Sequence, residues 1–361
     1  MRFFFDARYI RTDFHDGISR YTHELCLALY ELDQSVTFLI SDEKQLTLLP
    51  KDVKHIKIHE VDSWKEPFTS LILNSYKPDV VATSLQTLGS FGRKFKLILN
   101  QQDMTYYKHA TPPLHMSRPV RLLWRLYHLT YWPGRWTLNA ADIVATVSNT
   151  SKQEIEKVKL TKRPIIVVPN AARDLTPLLD TPPRELKTPP QNLVYMGAFT
   201  PYKNVQTLIA AMEFLPGRTL HLLSRITDNR KIELMQCIPK SANVIFHNGV
   251  SDAEYANLLA NDAIMVSASK SEGYGLPLAE ALKLGAPAVV TDMAVFHEVA
   301  SEGALFANPE DPKDFADKII SLDQLETRLK LTTEGKRQIE TFSWYNSAQV
   351  LLTSADKLVN K

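Results

Sequence analysis

At 361 residues the chain exceeds what one hydrophobic core usually organises, so two domains are expected. A formal net charge of +2 excludes the strongly basic balance of a dedicated nucleic-acid binder. Two distant cysteines, Cys26 and Cys237, exclude a disulfide framework and offer no metal-ligand spacing, so a reduced, cytoplasmic setting with no resident metal is expected.

The N-terminal Met1-Arg2-Phe3-Phe4-Phe5-Asp6 has too short an apolar run for a signal peptide, and no stretch reaches the length needed to cross a bilayer. Beyond it, short apolar runs alternate with stretches whose apolar positions recur every three or four residues. Strands are expected at 2–5, 36–40, 56–58, 80–82, 95–99, 143–147 and 165–168, with Ile18 to Leu32 among the helices between them. Strands alternating with helices imply a parallel sheet covered on both faces, and ligands on such sheets sit beyond the carboxyl ends of the strands. That places two loops at a ligand site: Asp6 to Gly17 after the first strand, and Asn100-Gln101-Gln102-Asp103 after the fifth. Gly17 opens the first long helix, where a plain structural role in shaping the turn also accounts for a glycine.

From Met104 to Ala141 there is no acidic residue, while Lys108, Arg118, Arg121, Arg125 and Arg135 are interleaved with Leu122, Leu123, Trp124, Leu126, Tyr127, Leu129, Tyr131 and Trp132. On a helix this gives a basic, aromatic-rich surface of the kind that lies in a membrane interface, so a peripheral position on an anionic inner membrane surface is expected. Ordinary helices are also apolar on one face. On that alternative the leucines and tyrosines face the core and the arginines are solvated.

Pro177, Pro182, Pro183, Pro189 and Pro190 then break the pattern, which predicts a linker over 173–190 between domains at 1–172 and 191–343. Further strands are expected at 192–196, 220–223, 244–246, 264–266, 288–291 and 304–306, and a last helix from Trp344. Lys203 stands where a helix begins, a position that disfavours a cation and so favours a binding role over a solvated surface lysine. Arg225 follows the next strand.

The densest signal is Lys270-Ser271-Glu272-Gly273-Tyr274-Gly275-Leu276-Pro277-Leu278-Ala279-Glu280-Ala281-Leu282, a strand–turn–helix pattern. Gly273 and Gly275 let the turn bring N–H groups close to a ligand. Pro277 suits the first helical position and Gly285 stops the helix. A helix N-terminus aimed this way is a place for phosphate, and Glu272 and Glu280 are good acceptors for sugar hydroxyls. The pairing suits a nucleotide-sugar. A plainer alternative makes Glu280 a first-turn acid complementing the helix dipole and Glu272 a solvated loop residue.

This segment resembles the signature of retaining glycosyltransferases of family 4, which have the GT-B fold. The resemblance extends in order through Gly17-Ile18-Ser19-Arg20-Tyr21, Ala145-Thr146-Val147-Ser148, Val168-Pro169-Asn170, Tyr195-Met196-Gly197 with Pro201-Tyr202-Lys203-Asn204, and Phe342-Ser343-Trp344. It implies an α/β, GT-B protein: two Rossmann-like domains facing across a cleft, with the last helix, 344–361, packing back on the first domain. It also implies transfer of a hexose from a nucleoside-diphosphate-sugar to a hydroxyl of a glycan or lipid-linked acceptor, with retained configuration and no protein nucleophile. By the same resemblance Lys203 and the turn Gly273-Tyr274-Gly275 would hold the departing diphosphate, Glu272 the sugar hydroxyls and Glu280 the ribose. Gly17, Gly197 and Glu298 would lie near the donor. The start at Gly17 resembles the mannosyl- and rhamnosyltransferase branch, which implies GDP-mannose.

Two departures stand out. Gln102 replaces the histidine of a His-Asp pair that related enzymes often carry, leaving Asp103 beside a hydrogen-bonding but non-titrating neighbour. Ala198 and Tyr202 stand where an arginine is often found, and Arg225 is the expected source of that charge. Three other classes remain open: a non-catalytic partner subunit of the same fold, a nucleotide-sugar epimerase, and a glycosidase working with two carboxylates.

Overall fold

The computed structural model describes residues 1–13, 16–112, 118–182 and 188–360, with 118 and 119 described by their backbone alone. The chain forms two compact units, Met1–Asn170 with Ser343–Lys361, and Ala171–Phe342. Each is built around a parallel sheet.

Among the described residues the first unit carries seven strands: β1 (Phe3–Asp6), β2 (Thr37–Ile40), β3 (Lys54–Lys57), β4 (Val80–Thr83), β5 (Lys96–Asn100), β6 (Ile143–Thr146) and β7 (Ile165–Val167). Their spatial order is β3-β2-β1-β4-β5-β6-β7. In register, Phe4 lies opposite both Thr37 and Val81. β1, β4 and β6 are buried along their whole length, which is why they read as unbroken apolar runs rather than alternating ones. One face of the sheet presents Phe4, Leu39, Val81, Leu99 and Val144 to Leu73, Leu138 and Ile155. Beneath the loop after β1, buried Arg8 bridges Asp6 at 2.8 Å and Glu66 at 2.7 Å, so a charge taken out of water is paired on both sides.

The second unit carries β8 (Asn192–Tyr195), β9 (Thr219–Leu222), β10 (Asn243–Phe246), β11 (Ala263–Ser267), β12 (Ala288–Thr291) and β13 (Leu305–Ala307), ordered β10-β9-β8-β11-β12-β13. Its core joins Leu193, Leu222, Ile264, Val266 and Val289 with Leu208, Phe315 and Ile319 from the covering helices. Each strand expected from the sequence is present, shifted by at most two residues at an end.

The last helix, Trp344–Val359, lies within the first unit against helix Gly17–Leu32. Trp344 meets Tyr21 edge-on at 5.8 Å, and Ser347 Oγ donates to the Pro169 carbonyl at 2.7 Å. The stretch expected as a linker differs from expectation over its first part. Leu175 is buried, Arg173 ion-pairs with Asp252, and the Asp180 N–H donates to Asn257 Oδ1 at 3.2 Å, so these residues belong to the second unit. Proline content alone does not reveal such contacts, and 183–187 lie outside the described residues. Among the described residues no helix is long and apolar enough to cross a membrane.

Candidate functional site

In a doubly wound sheet the strand order reverses direction at one place, and the loops leaving the two strands there diverge to open a crevice. In the second unit that place lies between β8 and β11, because β9 and β10 extend one way and β12 and β13 the other. The loops leaving β8 and β11 carry Lys203 and Glu272. Lys203 Nζ stands 2.6 Å from Glu272 Oε1, each side chain 16 % exposed. The Lys270 N–H donates to the Tyr202 carbonyl at 2.8 Å, stitching the two loops together, and Lys270 Nζ pairs with Glu310 at 2.6 Å.

Local sequence explains the lysine's position. Pro201–Lys203 is a single tight turn, and Asn204 then takes a left-handed conformation (φ 52°) before the helix Val205–Ala211 begins. Its amide donates to the Pro309 carbonyl at 2.8 Å, which offsets the strain of that backbone. Lys203 therefore precedes the helix. Gly197 is required by close approach: a Cβ there would stand 2.8 Å from the Tyr195 hydroxyl, which itself donates to the Ala198 carbonyl at 2.7 Å. The Gly197 N–H donates to Ser224 Oγ at 3.0 Å, and Arg230 Nε donates to the Phe199 carbonyl at 3.0 Å. Burial, and then the Glu272 carboxylate, raise the Tyr195 phenol well above its ordinary range.

The turn after β11 ends at Gly275, whose φ of 100° is left-handed and whose Cβ would come within 2.7 Å of the Phe296 ring. Both facts demand glycine. Helix Leu276–Leu284 follows, with Pro277 at its second position rather than the first, and Gly285 closes it at φ 87°. Tyr274 is buried edge-on to Phe342 at 5.7 Å. Burial, with the Glu298 carboxylate from helix Ala294–Ala300, raises its phenol above the ordinary range. Glu298 is thus within electrostatic reach of Tyr274.

Glu280 is 6 % exposed, and Arg173 Nε lies 3.7 Å from its carboxylate. Burial and then Glu280 raise the Tyr255 phenol well above its usual value. Glu272 and Glu280 thus have different neighbours, Lys203 for one and Arg173 with Tyr255 for the other. The plainer alternative, a solvated Glu272 and a first-turn Glu280 complementing the helix dipole, is not what the structure shows: Glu272 is paired and largely buried, and Glu280 is buried beyond the first turn of its helix. Arg225 is exposed and lies along Gly249, where a Cβ would meet its Cγ at 3.1 Å. Among the described residues no group of three or more His, Cys, Asp or Glu side chains could hold a metal ion.

In the first unit the order reverses between β1 and β4. Tyr9, after β1, hydrogen-bonds Thr87, after β4, and Gln102 Nε2 donates to the Ser84 carbonyl at 3.1 Å. The Asp103 carboxylate accepts the Thr105 N–H at 2.8 Å. Gly17 is the first residue of its helix, exposed and outside the left-handed region, and a Cβ there would meet nothing within 4 Å. The backbone does not demand a glycine at this position, contrary to the turn-shaping alternative.

Tyr9, Thr87, Arg173, Ser224, Arg230 and Tyr255 were not singled out by the sequence. No local motif marks them, since tertiary contacts bring each to its place.

The basic segment forms helices Arg118–His128 and Trp132–Asn139. Trp124, Tyr127 and His128 turn inward: Tyr106 meets Trp124 at 5.1 Å and Tyr107 meets His128 at 5.1 Å. Leu122, Leu123, Leu126 and Leu129 are exposed, which corrects the alternative that buried the leucines. The Arg118 side chain lies outside the described residues.

Comparison with known proteins matches residues 15–173 to the family described as Glycosyltransferase Family 4 and residues 180–338 to Glycosyl transferases group 1. The O-antigen chain mannosyltransferase RfbU of Salmonella typhimurium is 26 % identical over 254 residues, 67 % of this chain and 69 % of that protein. The O-antigen chain mannosyltransferase B of Escherichia coli is 26 % identical over 254 residues, 65 % of this chain and 64 % of that protein. The match therefore spans about two thirds of the length of these relatives. Among solved structures, sucrose-phosphate synthase from Thermosynechococcus elongatus superimposes with a TM-score of 0.72 at 17 % identity, covering 99 % of this chain and 98 % of that one. A likeness at that identity speaks to the fold alone.

Proposed function

The chain belongs to the family 4 glycosyltransferases, of GT-B fold, and on that premise we propose that it moves a mannosyl residue from GDP-mannose to a hydroxyl of a glycan or lipid-linked acceptor, with retained configuration. The observation that carries the reading is the pairing of Lys203 with Glu272 at 2.6 Å where the second sheet reverses its order. A diphosphate arriving between the Lys203 ammonium and the N-terminus of helix Leu276–Leu284 meets positive charge from both sides. It takes Lys203 from Glu272, and the released carboxylate accepts hydroxyls of the sugar. Glu280, held near Arg173, takes the ribose.

The acceptor oxygen then bonds to the anomeric carbon on the face the diphosphate leaves, as the bond from that carbon to the diphosphate oxygen breaks and the acceptor's hydroxyl proton passes to that departing oxygen. Charge growing on the leaving group is stabilised by Lys203 and the backbone of Gly273 to Gly275, without a resident metal in this reading. In the first unit Gln102 and Asp103 follow β5, and in this reading they serve the acceptor, with Gln102 offering hydrogen bonds and no proton transfer. The names of the mannosyltransferase relatives support the choice of sugar. The acid-free segment 104–141 supports a peripheral place for the enzyme on an anionic inner membrane surface.

A thermal-shift panel of GDP-, UDP- and dTDP-sugars tests the donor, since a ligand bound only by the folded state raises the melting temperature by mass action. GDP-mannose is expected to give the largest shift. A shift with UDP-glucose and none with GDP-mannose refutes the donor assignment.

A further inference from the structure

Helix Arg118–His128 has two differently used faces. Its aromatic face is already packed, with the Trp124 and His128 rings tilted against each other at 4.0 Å and both set against Tyr106. The leucines opposite have no such role: Leu122, Leu123, Leu126 and Leu129 are exposed, and Trp132 and Trp136, four apart on the next helix, are exposed as well, the six ranging from 52 % to 76 %. Isolated exposed leucines need no explanation, but six large apolar side chains within fifteen residues mark an interaction surface. Arg121, Arg125 and Arg135 border them, and no residue from 104 to 141 is acidic.

We propose that these leucines and tryptophans insert into an anionic lipid bilayer, with Arg121 and Arg125 meeting the headgroups. The inference rests on the peripheral-membrane reading above and deepens it, because the attachment is made by apolar insertion as well as by charge. Two features favour lipid over a second copy of the chain. A two-fold contact through this face would set its arginines against their own copies, with no acid in the segment to neutralise them. Tryptophan beside leucine and arginine is also the composition of interfacial helices, whose apolar side lies at the boundary of headgroups and acyl chains.

The experiment is sedimentation of the full chain with vesicles of phosphatidylcholine, with or without phosphatidylglycerol, comparing wild type with Leu122→Ser/Leu126→Ser and with Arg121→Gln/Arg125→Gln. Melting temperature, GDP affinity and oligomeric state are measured on the same samples. Wild type is expected to bind the anionic vesicles and to retain part of that binding at ~0.5 M salt, where exposed charges are strongly screened. The leucine pair should weaken binding at least about tenfold with melting temperature and GDP affinity unchanged. Binding that salt abolishes and the leucine pair leaves intact overturns insertion while sparing a charge-only attachment. No binding to any vesicle at low salt overturns both. Wild-type self-association that the leucine pair abolishes assigns the face to a second copy and overturns the proposal. GDP affinity reports on the donor site separately, so its loss would count against the transferase reading and not against the membrane one.

Discussion

Glu272 and Glu280 stand eight positions apart in one motif, yet their surroundings give them different work. Glu272 shares a half-buried ion pair with a lysine that a phosphate would compete for, whereas Glu280 sits deeper, near an arginine. Glu272→Gln keeps the size of the side chain and removes its charge. Turnover is expected to fall about a hundredfold, ~2.7 kcal/mol, with GDP affinity no weaker than wild type because Lys203 loses its competing carboxylate. Glu280→Gln should instead weaken GDP binding and cost at least ~1 kcal/mol of folding stability, since it leaves buried polar groups less well satisfied. Steady-state kinetics, titration of GDP and thermal melts of both variants check the division. Equal loss of GDP affinity in the two would collapse it.

At the scale of elements, the turn and helix after β11 were the most legible part of the sequence. Gly275 and Gly285 each punctuate the chain where the backbone becomes left-handed, and a residue pattern can announce that. Pro277 occupies the second helical position rather than the expected first, a shift of the size by which helix ends ordinarily vary. Less legible was which face of helix Arg118–His128 turns inward, because Leu, Trp and Tyr all read as apolar. Tyr106 and Tyr107 choose the aromatic face, and nothing in the helix's own sequence specifies that partner. Gly275→Ala tests the turn directly. The added methyl group faces both a left-handed backbone and the Phe296 ring at 2.7 Å. A loss of at least ~1 kcal/mol of stability is expected, together with weakened GDP binding. A variant with wild-type melting temperature and GDP affinity would show that the turn tolerates a different geometry and is not a fixed phosphate cradle.

At the scale of the molecule, the strands of the two sheets followed from short apolar runs, most plainly β1, β4, β11 and β12, which are buried throughout, while β3 and β10 are partly exposed. Strand order did not. The reversal between β8 and β11, which brings Lys203 to Glu272, and the one between β1 and β4, which brings Tyr9 to Thr87, are properties of the assembled sheets. The same limit hid Arg173, which stood in a proline-rich stretch read as a linker and lies beside Glu280. Mannosyl transfer from a nucleoside-diphosphate donor requires the second unit to hold a diphosphate. Calorimetric titration of GDP and GMP into wild type and Lys203→Ala measures this directly. GDP is expected to bind wild type at least about tenfold more tightly than GMP, ~1.4 kcal/mol, with Lys203→Ala removing most of that difference. Equal affinities for the two nucleotides in wild type, or an undiminished preference for GDP in the variant, would contradict it.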